Sequence, residues 1–265
     1  MNAVYRHHSQ WPHALPEEVA VALEVNGINY AVMMASPYDL EDFALGFLFT
    51  EQVIKAPHDL HEIEQVNTQQ GVSLQIKIAN RRVPQLRTKL RHIRGNSGCG
   101  ICGIAALEHV FDKLPKINNR ACFQNGLPKD LKARSFDFQQ QTKANTHRAN
   151  EAVHAAFWLS ENSEITLCRE DIGRHNAVDK LIGALLKDKT NLSQGGLVVT
   201  SRCSVELAQK AIAAGIGTLI CFASPSTLAI TIALEHNLQI IHIPKIDLPI
   251  LYSNSLLTSL SETSQ

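Results

Sequence analysis

E-I-T-L-C-R-E-D-I-G-R-H-N-A-V-D-K-L-I-G-A-L-L, residues 164–186, passes from strand to turn to helix. Glu164–Cys168 is a short strand, and Glu170–His175 is a polar turn around Gly173. Across Ala177–Leu186, Val178, Leu181, Ile182 and Leu185 recur at helical spacing. The unit repeats downstream. Leu197–Thr200 reads as a strand, Ser201–Ser204 as a turn and Val205–Ala214 as a helix. Thr218–Phe222, Ser224–Thr227 and Leu228–Glu235 follow the same order, and Leu238–Ile243 is a last strand. Three such units predict an α/β sheet, mostly parallel, joined by right-handed crossovers.

That topology has a functional corollary. In open α/β sheets ligands gather at the carboxyl ends of the strands. The turns there carry Glu170, Asp171, Arg174, His175, Ser201, Arg202, Ser224 and Ser226, with Lys245 after the last strand. Serines and free amides at helix N-termini, beside arginines, suit phosphate or another anion. Each residue also has a structural reading. Ser224 and Ser226 serve as helix caps, Asp171 as a turn former and His175 as a satisfied buried histidine.

Toward the amino terminus, Asn26-Gly27 between two β-rich runs predicts a hairpin across residues 19–34. Ser36-Pro37 then reads as N-cap and first position of a helix, with Leu40, Phe43, Ala44, Phe47 and Leu48 on its buried face. Residues 72–79 alternate and predict a half-buried strand. Residues 115–146 are polar and irregular and read as a connection. A helix is expected around 148–160, carrying Val153, Ala156 and Phe157.

Between these halves lies R-G-N-S-G-C-G-I-C-G, residues 94–103. Glycines flank both Cys99 and Cys102, so the chain can turn sharply and present two sulfurs. Cys-x-x-Cys has three chemical readings: half of a zinc site, a dithiol pair, or a thiolate that holds transferable sulfur beside a helper thiol. Arg81, Arg82, Arg87, Lys89, Arg91 and Arg94 form a basic approach that would favour the thiolate and an anionic partner. A short helix is expected after Gly103, on Ile104, Leu107, Val110 and Phe111.

The 265 residues carry 25 basic and 25 acidic side chains, so bulk charge announces neither nucleic acid nor membrane as partner. No apolar run has the length of a bilayer span, and the first residues lack a secretory signal core. Six cysteines in this length suit a reducing cytoplasm, not a disulfide scaffold. Four parts are expected: an extended or disordered 1–17, an α+β part 18–95, the thiol loop with short helix and linker 96–146, and a β/α cofactor-binding part 147–265.

S-G-C-G-I-C-G (97–103), E-D-I-G-R-H-N-A-V-D-K (170–180), S-R-C-S-V-E-L-A-Q-K (201–210) and the Ser224–Ala229 turn resemble the formate dehydrogenase accessory sulfurtransferases, the FdhD/NarQ family. V-A-V-A-L-E-V-N-G (19–27) and the run from Ser36 to Phe47 fit as well, so the resemblance spans about residues 18–252. It implies a cytoplasmic, homodimeric sulfur carrier with a cytidine-deaminase-like mixed sheet, flanking helices and a smaller N-terminal α+β part. The implied activity takes persulfide sulfur from a cysteine desulfurase. It passes that sulfur to the molybdenum cofactor, bis-molybdopterin guanine dinucleotide, which formate dehydrogenase requires. Cys99 would carry the persulfide and Cys102 assist. Ile243, Pro244, Lys245, Ile246, Asp247 and Leu248 would contact the cofactor, with Arg174, His175, Ser201 and Arg202 at the strand ends. No resident metal is implied.

Two other functions are weighed against this. A zinc deaminase needs His-x-Glu and Pro-Cys-x-x-Cys, but Ala156 stands two after His154 and Gly98 precedes Cys99. A non-enzymatic cofactor chaperone would use Cys99 and Cys102 from two chains as structural zinc ligands.

Overall fold

The computed structural model describes residues 15–94, 114–118, 123, 126–146 and 153–254. Strands β1 (Val19–Val25), β2 (Ile28–Ala35), β3 (Leu60–Thr68) and β4 (Gly71–Ile78) form a sheet in the order β2-β1-β4-β3. Two antiparallel hairpins meet through the parallel pair β1–β4. The Asn26-Gly27 turn is as expected. Both residues have positive φ, 49° and 74°, which matches the twist of the strands they join. Asn26 also clamps the end of β4: its amide donates to the Ile78 carbonyl at 3.1 Å and its oxygen accepts from Ile78 N at 2.8 Å.

The larger sheet contains β5 (His154–Ser160), β6 (Ile165–Asp171), β7 (Gly195–Arg202), β8 (Thr218–Ala223), β9 (Gln239–His242) and β10 (Ile250–Tyr252). Its order is β10-β9-β8-β7-β5-β6. β7, β8 and β9 are parallel. β5 runs antiparallel to both neighbours, and β10 closes the edge antiparallel to β9. The sheet is therefore mixed, and β5 replaces the helix expected at 148–160. His-Ala-Ala-Phe-Trp-Leu is buried on both faces of a central strand. Such a run has no period-2 signature, so spacing alone cannot separate it from a buried helix.

Helices α1 (Leu40–Thr50), α4 (Arg174–Lys187), α5 (Val205–Ala213) and α6 (Thr227–Glu235) share one core with the inner sheet faces, and α2 (Val83–Arg94) follows β4. α3 (Leu131–Thr146) lies on the opposite face, against Ala155, Phe157, Leu159, Val198 and Ile220. Full burial of one such Phe or Leu is worth about 1.5–3 kcal/mol. α3 corrects the irregular connection expected over 115–146. Its inward positions Leu131, Ser135, Gln139 and Lys143 are four apart but mostly polar. Hydrophobic periodicity cannot reveal a face of that kind.

α1 runs along α4 so closely that backbone meets backbone. A Cβ on Gly46 would stand 1.8 Å from the Asp179 carbonyl oxygen, and one on Gly183 would stand 1.9 Å from that of Asp42. α1 itself starts at Leu40, after Asp39 in a left-handed conformation (φ 54°), and not at the expected Ser36 cap. Ser36 is engaged elsewhere, at the turn before α4.

Candidate functional site

β6, β7, β8 and β9 end on one edge, where β5 begins and where α4, α5 and α6 present their N-termini. A cleft of about 700 Å³ opens there. His154, Arg174, Ser201, Arg202, Ser204 and Ser226 are among its walls. Arg174 and Arg202 are exposed, and neither guanidinium pairs with a carboxylate among the described residues. Two guanidiniums beside three helix starts, against the one exposed carboxylate of Glu206 in the first turn of α5, leave this edge with an excess of positive character, which suits an anion.

What aims Arg174 is a buried polar knot. Asp171 is fully buried at the end of β6. One of its oxygens accepts from Ser36 N at 3.0 Å and from Lys180 Nζ at 2.6 Å. The other accepts from Gly173 N at 2.7 Å and Asn176 Nδ2 at 3.0 Å. Lys180 also donates to the Ser36 carbonyl at 2.9 Å, and the Ser36 hydroxyl accepts from Ile172 N at 3.1 Å. So Asp171, Asn176 and Lys180 build the turn, and Arg174 and His175 project from it. Glu170 points to the other face, where Gln139 donates to it and Lys143 pairs with it at 3.3 Å. Neither acid faces the cleft, and Asp171 serves as a turn former.

His175 Nε2 lies 3.4 Å from Ser204 Oγ and 3.9 Å from Glu206. Burial, then the Arg174 charge, pushes the His175 pKa down, and the same two causes act on His154. Both imidazoles are therefore neutral near pH 7, ready to hydrogen-bond while the arginines supply charge. Ser201 is buried and donates to the Arg202 carbonyl at 3.1 Å. Ser226 is a helix cap, accepting from Ala229 N at 3.2 Å.

Residues 243–248 leave β9 beside this edge. Ile243 N donates to the Cys221 carbonyl at 2.9 Å, and Ile246 and Leu248 are 94% and 84% exposed. Reading the sequence missed Lys132, which reaches this segment from α3 and donates to the Pro244 carbonyl at 3.0 Å. It sits in a stretch read as irregular, so no signal singled it out.

Cys99 and Cys102 lie outside the described residues, as do Cys122 and the short helix expected after Gly103. Of the basic approach, Arg81 and Arg82 are engaged elsewhere. They hold Asp59 at 2.7 and 2.8 Å. Past the thiols, Ile117 N donates to the His236 carbonyl at 2.9 Å. Cys203 lines the cleft, but burial, then Cys221, pushes its thiol far up, so it is no thiolate.

This fold and edge define a mixed α/β protein with a basic cleft at the carboxyl edge of its larger sheet. Residues 16–256 match the model of the FdhD/NarQ family, and the chain belongs to that family. It is 39% identical over 222 residues to a sulfur carrier protein FdhD of Cupriavidus necator, covering 84% of this chain and 75% of the relative. It is 42% identical over 227 residues to one of Xanthomonas campestris pv. campestris, covering 84% and 78%. In fold it is similar to a crystal structure from Desulfotalea psychrophila, described as a formate dehydrogenase accessory protein. That match has TM-score 0.63 and 20% identity, over 89% of this chain and 87% of the other. No helix among the described residues is long and apolar enough to cross a membrane.

Proposed function

We propose that the chain is a sulfur carrier that accepts persulfide sulfur from a cysteine desulfurase and delivers it to bis-molybdopterin guanine dinucleotide. The observation that carries the reading is the carboxyl-edge cleft, with Arg174 and Arg202 in no ion pair among the described residues and beside three helix N-termini, in a Cys-x-x-Cys chain of this family. Names of the relatives, sulfur carrier protein FdhD, support the sulfur half. The partners are the desulfurase as donor and apo-formate dehydrogenase as recipient, and the working unit is a homodimer in the cytoplasm.

In loading, the Cys99 thiolate attacks the terminal sulfur of the donor's persulfide. A new S–S bond forms at Cys99, the donor's S–S bond breaks and the donor leaves as a thiolate. In delivery, the Cys102 thiolate attacks the inner sulfur of the Cys99 persulfide. This forms a Cys99–Cys102 disulfide and releases the outer sulfur as sulfide to the cargo. A dithiol reductant then restores both thiols. Arg174 and Arg202 would hold the cargo's phosphates, with His154 and His175 as neutral hydrogen-bonding partners.

The test is intact-mass measurement after incubation with a cysteine desulfurase and cysteine. The wild type gains reductant-labile sulfur and Cys99→Ala does not. Separately, Arg174→Ala/Arg202→Ala weakens GDP binding by about a hundredfold, at about tenfold per charged contact. No added sulfur in the wild type would end the carrier reading and turn attention to zinc content and the chaperone reading.

A further inference from the structure

This inference rests on the reading that residues 243–248 contact the cargo. We propose that Lys132 is the positioning residue for that segment, fixing its backbone from α3 so that Lys245 meets the cargo's anionic groups.

The segment has little else to hold it. Ile243 is tied to the Cys221 carbonyl, and the chain is next captured where Ile250 pairs with His242. Between these points Ile246 and Leu248 project into solvent and contribute no packing. Pro244 has no N–H, so its carbonyl is the only backbone group through which it can be held. Lys132 Nζ donates to that carbonyl at 3.0 Å and stands 5.5 Å from the centroid of the Phe222 ring. The neighbouring Leu131 is 1% exposed, so the backbone that launches Lys132 is itself fixed.

Charge supports the same assignment. Burial, then the charge of Lys245, pushes the Lys132 pKa down. His242, whose pKa burial and then Lys132 lower, adds no positive charge near neutral pH. An anion seated at this edge would relieve the repulsion between the two lysines.

The experiment is amide hydrogen exchange on the full chain, comparing wild type, Lys132→Met and Lys132→Arg. Loss of one charge-assisted hydrogen bond is expected to speed exchange in the peptide spanning 243–252 by about tenfold in Lys132→Met. β7 and β8 should stay unchanged, and Lys132→Arg should stay near wild type. Unchanged exchange at 243–252 overturns the proposal. So does a uniform rise across the sheet, which would make Lys132 a fold residue only. If Lys132→Met does not fold, Lys132→Gln keeps a polar end but is too short to reach the Pro244 carbonyl. It should raise exchange in the same peptide, and no rise overturns the proposal. GDP binding, measured on the same proteins, should weaken about tenfold in Lys132→Met and recover in Lys132→Arg. A wild type that does not bind GDP would remove the cargo reading, while the exchange data still decide the role of Lys132.

Discussion

Lys180→Met tests the buried knot that aims the cleft. Lys180 and Asp171 are both fully buried and 2.6 Å apart. Methionine fills nearly the same volume, so packing is conserved while the charge and its hydrogen bonds to Asp171 and the Ser36 carbonyl are removed. Asp171 keeps three donors, Ser36 N, Gly173 N and Asn176 Nδ2. It loses the only cation within ion-pair distance among the described residues. Removing one partner of a buried pair costs about 3–5 kcal/mol, against a total stability of about 5–15 kcal/mol. With a urea slope near 3 kcal/mol per molar, the unfolding midpoint falls by about 1–1.7 M. Trp158 in β5 is 3% exposed and reports the transition by fluorescence. Adding Asp171→Asn removes the stranded charge, and the double variant should regain about 2 kcal/mol. A single-variant loss below about 1 kcal/mol, or a double variant no better than the single, would refute the reasoning.

Gly183→Ala places a Cβ 1.9 Å from the Asp42 carbonyl oxygen, where contact needs 3.4 Å or more, so α1 and α4 must part by about 1.5 Å. Overpacking of this kind costs about 3 kcal/mol, and Tm should drop by about 6–12 °C; a drop below about 3 °C would contradict the crossing described. Asp59→Asn tests acid stability. Burial opposes the Asp59 charge, but the Lys55 amide and the Arg81 and Arg82 guanidiniums hold its carboxyl well below the ordinary 3.8. Its contribution is therefore complete above about pH 4 and is lost as pH falls through the depressed value. The variant should melt lower than wild type at pH 7, and its Tm should fall less steeply between about pH 4 and pH 2. Equal slopes would dismiss the ion cluster as a source of stability.

Legibility followed apolar periodicity. The Asn26-Gly27 hairpin and the helices over 174–187, 205–213 and 227–235 were readable because one face of each is apolar and a turn or cap precedes it. β5 was misread because a strand buried on both faces has no alternation. α3 was missed because Ser135, Gln139 and Lys143 make its inward face polar, and their partners lie elsewhere in the chain. Ser36 looked like a cap because Ser-Pro is a local signal. Its hydroxyl, amide and carbonyl are instead used 135–144 residues away. At the site, Arg174, Ser201 and Arg202 followed from the rule of strand ends. Lys132 did not, since only the folded chain brings α3 to Pro244.

Charge bookkeeping explains how a chain of net charge zero can keep a positive edge. Five of its acids are buried and paired within or between elements. Asp171 pairs with Lys180, Asp179 with Lys210 at 2.9 Å, Glu170 with Lys143, Asp42 with Arg169 and Lys187, and Asp59 with Arg81 and Arg82. Pairs buried this deeply add little net stability over apolar residues of the same shape. Their effect is positional: the pairs of Asp171 and Asp179, with the Thr50 hydroxyl on Asp179, lock α4 against β6, α1 and α5. Arg174 and Arg202, in no ion pair among the described residues, stand where those locked helices begin, and Lys245 stands beyond the end of β9. The buried pairs thus turn Asp171 and Glu170 away from the edge, and the guanidiniums of Arg174 and Arg202 outnumber the exposed Glu206 carboxylate beside them.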